Sequence, residues 1–309
     1  MKKEQNKIPR IREMPLSFNI MCDLSDACAP EHLRIMAEAG FKYAYLEWHY
    51  WDGEQWDKPT PPDTGFKLMD RFRKRIKPNS LHIPVVFQDW KIDACSCLEK
   101  IGRLVDIGGR FGVKLLTLHP FPAEIDLTRD LYVSEAKAIR EYEKALCEVI
   151  FAACRKAEKA GISLTIENNL YGYLYDIAGL LRIIKKVGAA NLGVCLDTGH
   201  ANVAGLDIPQ AVRELGPHLF ETHCNDNFGW FKRKSRPETG DLHRPPGIGT
   251  INWVKVITAM NEIGFAGPVN FELNRCKFDG DDFRKMAFLT YHNWRMFEKI
   301  AQVYPADFV

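Results

Sequence analysis

Four ionisable residues occupy equivalent places in this sequence, each at the carboxyl end of a short apolar run. They are Glu167, Asp197, His223 and Glu272. Three carboxylates and an imidazole that share one cavity repel and desolvate one another, so burying them together requires a compensating cation. Oxygen and nitrogen ligands of this kind suit Mn, Zn, Mg or Fe(II) better than they suit copper. The pattern therefore predicts a divalent metal site. The alternative for any single member is a hydrogen-bonded polar residue of the core.

Polar and aromatic residues near other run ends are candidates for contact with a substrate. His119 ends the fourth apolar run, and Glu47 ends the second, directly before Trp48. His119 contacts the substrate in one interpretation and belongs to the core in the other. Glu47 either binds a substrate hydroxyl or remains a solvated loop acid. Trp48 stacks on the apolar face of a sugar ring, packs a subunit interface or plugs the fold.

A long stretch after the seventh apolar run holds further charged residues, and long loops in compact domains are often functional. Its basic segment either anchors a substrate phosphate or forms a solvated loop. Arg244, which follows Asp241 and His243, is the better candidate for binding an anionic group. The basic segment consists of Lys232, Arg233, Lys234 and Arg236.

Eight apolar runs alternate with helix-like stretches along the chain. This alternation indicates βα repeats around a parallel sheet, and eight repeats match a closed barrel. We therefore predict an α/β fold, a single-domain (β/α)8 TIM barrel over residues 14–309, preceded by a flexible arm over residues 1–13. A doubly wound open sheet is the alternative, but no G-x-G-x-x-G follows the first strand. The predicted strands cover residues 17–21, 41–48, 81–87, 113–119, 163–168, 192–197, 219–223 and 268–273.

The composition excludes several classes of protein. The chain has 309 residues, 46% of them apolar and 27% charged, with a net charge of +2. A protein that wraps nucleic acid carries more positive charge than this, and no run of about 18 apolar residues predicts a membrane span. The nine cysteines lack framework spacing, which indicates reduced thiols in a cytoplasmic protein. No apolar segment follows the basic N-terminus, so we expect no secretory signal.

Several motifs, each in the expected strand context, resemble those of the xylose isomerase-like barrels. That superfamily includes sugar-phosphate isomerases and epimerases, inosose dehydratases and the endonuclease IV type of abasic-site nuclease. The resemblance extends from about Ser17 to Ile300 and specifies the superfamily, but not the substrate. It rests on Ile166-Glu167-Asn168, Asp197-Thr198-Gly199-His200, His223-Cys224-Asn225-Asp226, Phe271-Glu272 and the loop Asp241-Leu242-His243-Arg244-Pro245-Pro246-Gly247-Ile248-Gly249-Thr250.

The resemblance implies that Glu167, Asp197, His223 and Glu272 ligate one divalent ion, either Mn, Zn, Mg or Co. In the isomerase and epimerase branch, the two glutamates also face the substrate from opposite sides. One removes a proton next to a carbonyl and the other returns it. Elementary chemistry agrees, because a metal that chelates a carbonyl and its neighbouring hydroxyl stabilises the enediolate, and two carboxylates supply acid and base. We therefore expect proton transfer on a small sugar, sugar phosphate or polyol, with an inosose dehydratase-type lyase as an alternative.

The abasic-site nuclease is a further alternative, in which His200, Asp241 and His243 form an additional zinc site. In the sugar-enzyme branch, similar residues bind substrate or order the loop, and His200 alternatively bonds to a loop carbonyl. The nuclease also takes histidines from the ends of the third and fourth strands. His119 ends the fourth, but His82 is predicted at the start of the third, where its role is structural. The incomplete set favours a single-metal enzyme that binds a small carbohydrate and no nucleic acid, as a homodimer or homotetramer if it oligomerises.

Overall fold

Eight parallel strands close into a barrel in sequence order, with β8 pairing to β1. The computed structural model describes residues 14–20, 24, 26–47, 63–83, 92–119, 135–170, 173–230, 240–274 and 283–304. The predicted arm over residues 1–13 lies outside the described residues. The strands are β1 (Leu16–Asn19), β2 (Tyr43–Glu47), β3 (Lys77–Ile83), β4 (Leu115–Leu118), β5 (Ser163–Glu167), β6 (Leu192–Asp197), β7 (Leu219–Cys224) and β8 (Val269–Phe271).

Helices connect the strands and cover the outside of the barrel, as the βα repeats predict. Four of them follow an aspartate whose carboxylate accepts a backbone hydrogen bond, as Asp93 does from the Ser96 amide at 3.1 Å. None of the described helices is long and apolar enough to cross a membrane. They are α1 (Ala29–Ala39), α2 (Asp63–Phe72), α3 (Ala94–Phe111), α4 (Glu135–Lys159), α5 (Ile177–Val187), α6 (Thr198–Val203), α7 (Ile208–Leu215), α8 (Trp253–Glu262) and α9 (Phe283–Val303).

Strand β3 lies four residues earlier than the sequence pattern predicts. The predicted strand, 81–87, follows the apolar run, whereas the observed strand begins in the polar segment at Lys77. Polar side chains are tolerated there because Asn79 and Ser80 both hydrogen bond to Asn270 of β8. Pro84 follows the strand and has no N–H to donate to the sheet. The prediction that His82 starts the strand is therefore wrong, since it lies one residue before the carboxyl end.

The interior of the barrel below the strand ends is unusually polar. Barrel interiors are typically filled by branched aliphatic side chains, but here hydrogen bonds join strands that are not neighbours in the sheet. Asn270 Nδ2 of β8 donates to Ser80 Oγ of β3 at 2.9 Å. Thr117 Oγ1 of β4 donates to Glu221 Oε1 of β7. These buried hydrogen bonds cross the interior and form a polar layer below the strand-end residues.

Candidate metal centre and active site

The four residues singled out in the sequence meet at the carboxyl ends of β5 to β8. Their donor atoms all lie within 4.8 Å of one another. Nδ1 of His223 lies 3.0 Å from Oε1 of Glu167 and 3.1 Å from Oε2 of Glu272. The side chains of Glu167, Asp197 and His223 are almost completely buried, whereas that of Glu272 is 13% exposed. The structure thus brings the predicted ligand set together, with Glu272 nearest to solvent.

Asp197 is held in place by a shell of asparagine and backbone hydrogen bonds. Nδ2 of Asn225 donates to Asp197 Oδ2 at 2.9 Å, and the amide of His200 donates to Oδ1 at 2.7 Å. Asn168 Oδ1 accepts from the Asp197 amide at 2.7 Å. Gly199 makes this arrangement possible, because a Cβ at that position would lie 1.8 Å from Asn225 Oδ1. The glycine of the D-T-G-H motif therefore leaves room for the asparagine that orients the aspartate.

Three further histidines lie close to the carboxylate of Glu167. Nε2 of His82 lies 3.1 Å from Glu167 Oε2, and its Nδ1 lies 3.6 Å from Glu272 Oε1. Nε2 of His119 lies 3.9 Å from Glu167 Oε2, and Nδ1 of His200 lies 3.7 Å from Glu167 Oε1. His82, which the sequence interpretation treated as structural, therefore belongs to the site and contacts both glutamates.

A second group of potential ligands consists of His200, Asp241 and His243, whose donor atoms also lie within 4.8 Å of one another. Nδ1 of His200 lies 2.9 Å from the Asn168 carbonyl, and Nδ1 of His243 lies 3.0 Å from the Glu272 carbonyl. A carbonyl only accepts, so each Nδ1 carries a proton and donates to it, and Nε2 is the ring nitrogen that faces other groups. In His243 that nitrogen lies 3.0 Å from Asp241 Oδ1.

Burial and neighbouring charges together set the ionisation of the cluster. Burial opposes ionisation of Glu167 and Glu272, yet His223 and neighbouring histidines hold the pKa of both carboxyls well below the ordinary value. Burial also disfavours the charged form of His223, but the carboxylates of Glu167 and Glu272 raise its pKa well above the ordinary value. Burial raises the pKa of Asp197 to about 6 and lowers that of His119 to about 4.

Two carboxylate oxygens of the cluster indicate a cation site. Oε2 of Glu167 and Oε2 of Glu272 are buried and have no hydrogen bond of normal geometry within the described part of the chain. A buried carboxylate oxygen without a donor is costly, and a metal ion removes that cost. The donor set of three carboxylates and one imidazole therefore fits a divalent ion.

The remaining predicted contact residues are placed only in part. Arg244 forms an antiparallel bridge with Asp226, and its guanidinium carbon lies 5.0 Å from the centre of the Phe228 ring. The backbone of Glu47 ends β2, but its side chain lies outside the described residues, as does Trp48. The basic segment over residues 232–236 is likewise outside them. Whether these residues contact a substrate stays a prediction.

Sequence reasoning missed two residues that contact the candidate ligands without belonging to the predicted ligand set. Asn225 follows His223 by two residues, and Glu221 precedes it by two, so both were present in the motif region. Their roles depend on the register of β6 and β7, which pairs Asp197 with His223 and Cys195 with Glu221. Side chains alternate between the two faces of a strand, so Glu221 and His223 lie on the same face of β7. This alternation is the sequence signal that could have identified Glu221.

A family model described as the xylose isomerase-like TIM barrel matches residues 33–289. The chain belongs to this family. It is 33% identical over 217 residues to an uncharacterized protein of Methanocaldococcus jannaschii, a match that covers 67% of each chain. It is 24% identical over 280 residues to an inosose isomerase of Bacillus velezensis, covering 86% of this chain and 90% of that one. A D-psicose 3-epimerase of Ruminiclostridium cellulolyticum is 29% identical over 136 residues, which is 43% of this chain and 41% of the relative.

Solved structures share the barrel. An L-ribulose 3-epimerase superposes with a TM-score of 0.72 at 15% identity, covering 94% of this chain and 96% of the other. A protein described as IOLI with a bound zinc atom gives a TM-score of 0.66 at 20% identity, covering 94% and 98%. The predicted family and fold are thus confirmed. The relatives named above include enzymes of the sugar isomerase and epimerase class, although the match spans less than half the length of the D-psicose 3-epimerase.

Proposed function

We propose that this barrel is a divalent-metal-dependent isomerase or epimerase of a small sugar, sugar phosphate or related polyol. The observation that carries the proposal is the placement of Glu167 and Glu272, two buried carboxylates that meet at His223 Nδ1. Both are charged at neutral pH, because their pKa values are lowered. Two carboxylates at one centre supply the base and, once protonated, the acid of a proton transfer.

Glu167, Asp197, His223 and Glu272 would hold the ion, which when bound polarises the substrate carbonyl and its neighbouring hydroxyl. One glutamate removes the proton from the carbon next to the carbonyl, and the other returns a proton to the enediolate. His119 and His200 lie beside Glu167, at 3.9 and 3.7 Å from its carboxylate oxygens. We assign them, together with the loop pair Asp241 and His243, to binding the substrate oxygens.

Proton exchange with solvent tests this proposal directly. The metal-free protein is reconstituted with Mn²⁺, Mg²⁺ or Co²⁺ and incubated in D₂O with ketopentoses, ketohexoses and inososes, and deuterium incorporation is followed by NMR. We expect exchange next to the carbonyl that requires metal and is lost in Glu272→Gln. Glu99→Gln, at an exposed position of α3, is the matched control. If Glu272→Gln exchanged every accepted sugar as fast as the parent protein, the proposal would fail. Loss of water instead of exchange would identify the inosose dehydratase-type lyase.

The abasic-site nuclease remains a second candidate because of the position of His82. The main argument against it was that the third strand ends without a histidine at the barrel mouth. The structure instead places His82 near that end of β3. His82 and His119 both face Glu167, and His200, Asp241 and His243 form the second group. Elemental analysis and incision of an abasic duplex distinguish the candidates. Two or three ions per chain with salt-sensitive incision would favour the nuclease, and one ion without incision would remove it.

A further inference from the structure

One buried carboxylate of the barrel interior has no part in the proposed centre. Glu221 precedes His223 by two residues on β7, so both side chains point into the barrel, and Glu221 is fully buried. Thr117 Oγ1 donates to Glu221 Oε1, and Thr165 Oγ1 donates to Thr117 Oγ1 at 3.1 Å. The hydrogen bonds thus run from Thr165 through Thr117 to Glu221. Hydroxyl donors lower the cost of burying a carboxylate, but they bring no positive charge to balance it.

The imidazole of His223 faces this carboxylate with a ring nitrogen that can carry a proton. Its Nε2 lies 3.5 Å from Glu221 Oε1, and its Nδ1 faces Glu167 and Glu272 at 3.0 and 3.1 Å. A separation of 3.5 Å is long for a hydrogen bond, so the contact with Glu221 is mainly electrostatic. At this distance in a buried site the attraction is only weakly screened. The ring therefore lies between the candidate metal ligands on one side and a dedicated carboxylate on the other.

We propose that Glu221 is a positioning residue that keeps the proton of His223 on Nε2 and so leaves Nδ1 to ligate the metal. An imidazole that ligates through one nitrogen carries its proton on the other, and a carboxylate acceptor there fixes the tautomer and raises the basicity of the ligand. Thr117 and Thr165 hold the carboxylate in turn. The inference rests on the proposed metal centre and is independent of which sugar is converted.

The thiol of Cys195 also lies close to Glu221 and His223. Its donor atom lies within 4.8 Å of those of Glu221 and His223, and Cys195 pairs with Glu221 across β6 and β7. Burial raises the pKa of this thiol well above its ordinary value, so the thiol is neutral at neutral pH. Because it brings no charge to the ring, its removal provides a matched control within the same buried layer.

Titration of the metal-free protein with Co²⁺ tests the proposal, with affinity measured from the visible absorption in competition with a chelator. Glu221→Gln keeps the size of the side chain and removes its charge. We expect its Co²⁺ affinity to fall about 10–100-fold, whereas Cys195→Ala stays close to the parent value. Circular dichroism of each metal-free variant checks the fold. Equal affinity of Glu221→Gln and the parent protein would overturn the proposal.

A measurement on the unchanged protein covers the case in which Glu221→Gln does not fold. In the Zn²⁺-loaded protein labelled with ¹⁵N-histidine, NMR reports which ring nitrogen of His223 carries the proton. We expect it on Nε2, and a proton on Nδ1 or ligation through Nε2 would contradict the assignment. If the parent protein bound neither Co²⁺ nor Zn²⁺, the proposed centre would fall together with this inference. Metal binding without sugar turnover would affect only the proposed function.

Discussion

Replacing Gly199 by alanine is the sharpest single test of how this fold supports its site. The new Cβ would lie 1.8 Å from Oδ1 of Asn225, whereas ordinary contact begins at 3.4 Å. The backbone of Gly199 is not among the positive-φ positions, so alanine causes no backbone strain and the effect comes from the contact alone. The asparagine side chain must move by about 1.6 Å to relieve it. Such a movement breaks the 2.9 Å hydrogen bond from Asn225 to Asp197.

The size of the effect follows from the two interactions. Overpacking a tight interior costs about 1–3 kcal/mol, and a hydrogen bond to a buried charge contributes about 1.5–3 kcal/mol. We therefore expect Gly199→Ala to lower the free energy of unfolding by roughly 3–5 kcal/mol. Because Asp197 also loses its orienting partner, metal affinity should fall about 10–100-fold.

Urea unfolding followed by circular dichroism measures the first quantity, and Co²⁺ titration measures the second. Gly109→Ala is the control, because it lies on the exposed side of α3 and its Cβ would meet nothing within 4 Å. This control should gain about 0.5–1 kcal/mol, since alanine is the better helix former. The reasoning is refuted if Gly199→Ala unfolds at the parent urea concentration and binds Co²⁺ with the parent affinity.

Three further predictions concern stability and the thiols. Chelation of the metal should lower the melting temperature, since an ion at 100 times its Kd stabilises by about 2.7 kcal/mol; an unchanged melting curve with EDTA would contradict this. Burial opposes the ionisation of Glu143, but hydrogen bonds from Lys186 and Tyr173 lower its pKa below 4.5. Its stabilising effect is therefore present above that pH and lost as the pH falls through the lowered pKa, so the unfolding free energies of Glu143→Gln and the parent protein should converge in acid. Burial raises the pKa of Cys154 and of Cys224 to about 12, and mass spectrometry should find both unalkylated by iodoacetamide at pH 8 until the protein unfolds.

The strands that carry the ligands were the most predictable part of the fold. The predicted and observed bounds of β6 agree, because its apolar run is buried on both faces and ends at the charged Asp197. The same logic placed Glu167 and His223 at strand ends. It failed at β3, where Asn79 and Ser80 face a polar interior, so the strand carries no apolar pattern at its start. Hydrophobic patterning detects burial against apolar neighbours and does not detect burial within a hydrogen-bonded network.

Helix α6 was missed for a related reason. It is six residues long and begins directly at Asp197, whose carboxylate accepts from the His200 amide and caps the helix. So short a segment shows no 3.6-residue periodicity. The supporting contacts of Asn168 and Asn225 also depend on strand register, which single-sequence patterns do not fix. The sequence therefore predicted which residues meet at the strand ends, and the structure was needed to find what orients them.

The hydrogen bonds that cross the barrel interior limit how half-barrels of this fold can be separated or joined to other half-barrels. All four candidate ligands come from β5 to β8, so the second half of the chain carries the complete set. Yet Glu221 and Asn270 in that half are bonded to Thr117 and Ser80 in the first. If the second half were joined to a first half from another protein, it would keep the four candidate ligands. It would lose the hydrogen-bond partners that Thr117 and Ser80 provide to Glu221 and Asn270. Exchange of modules within this fold therefore has to preserve polar partners across the seam as well as the shape of the interface.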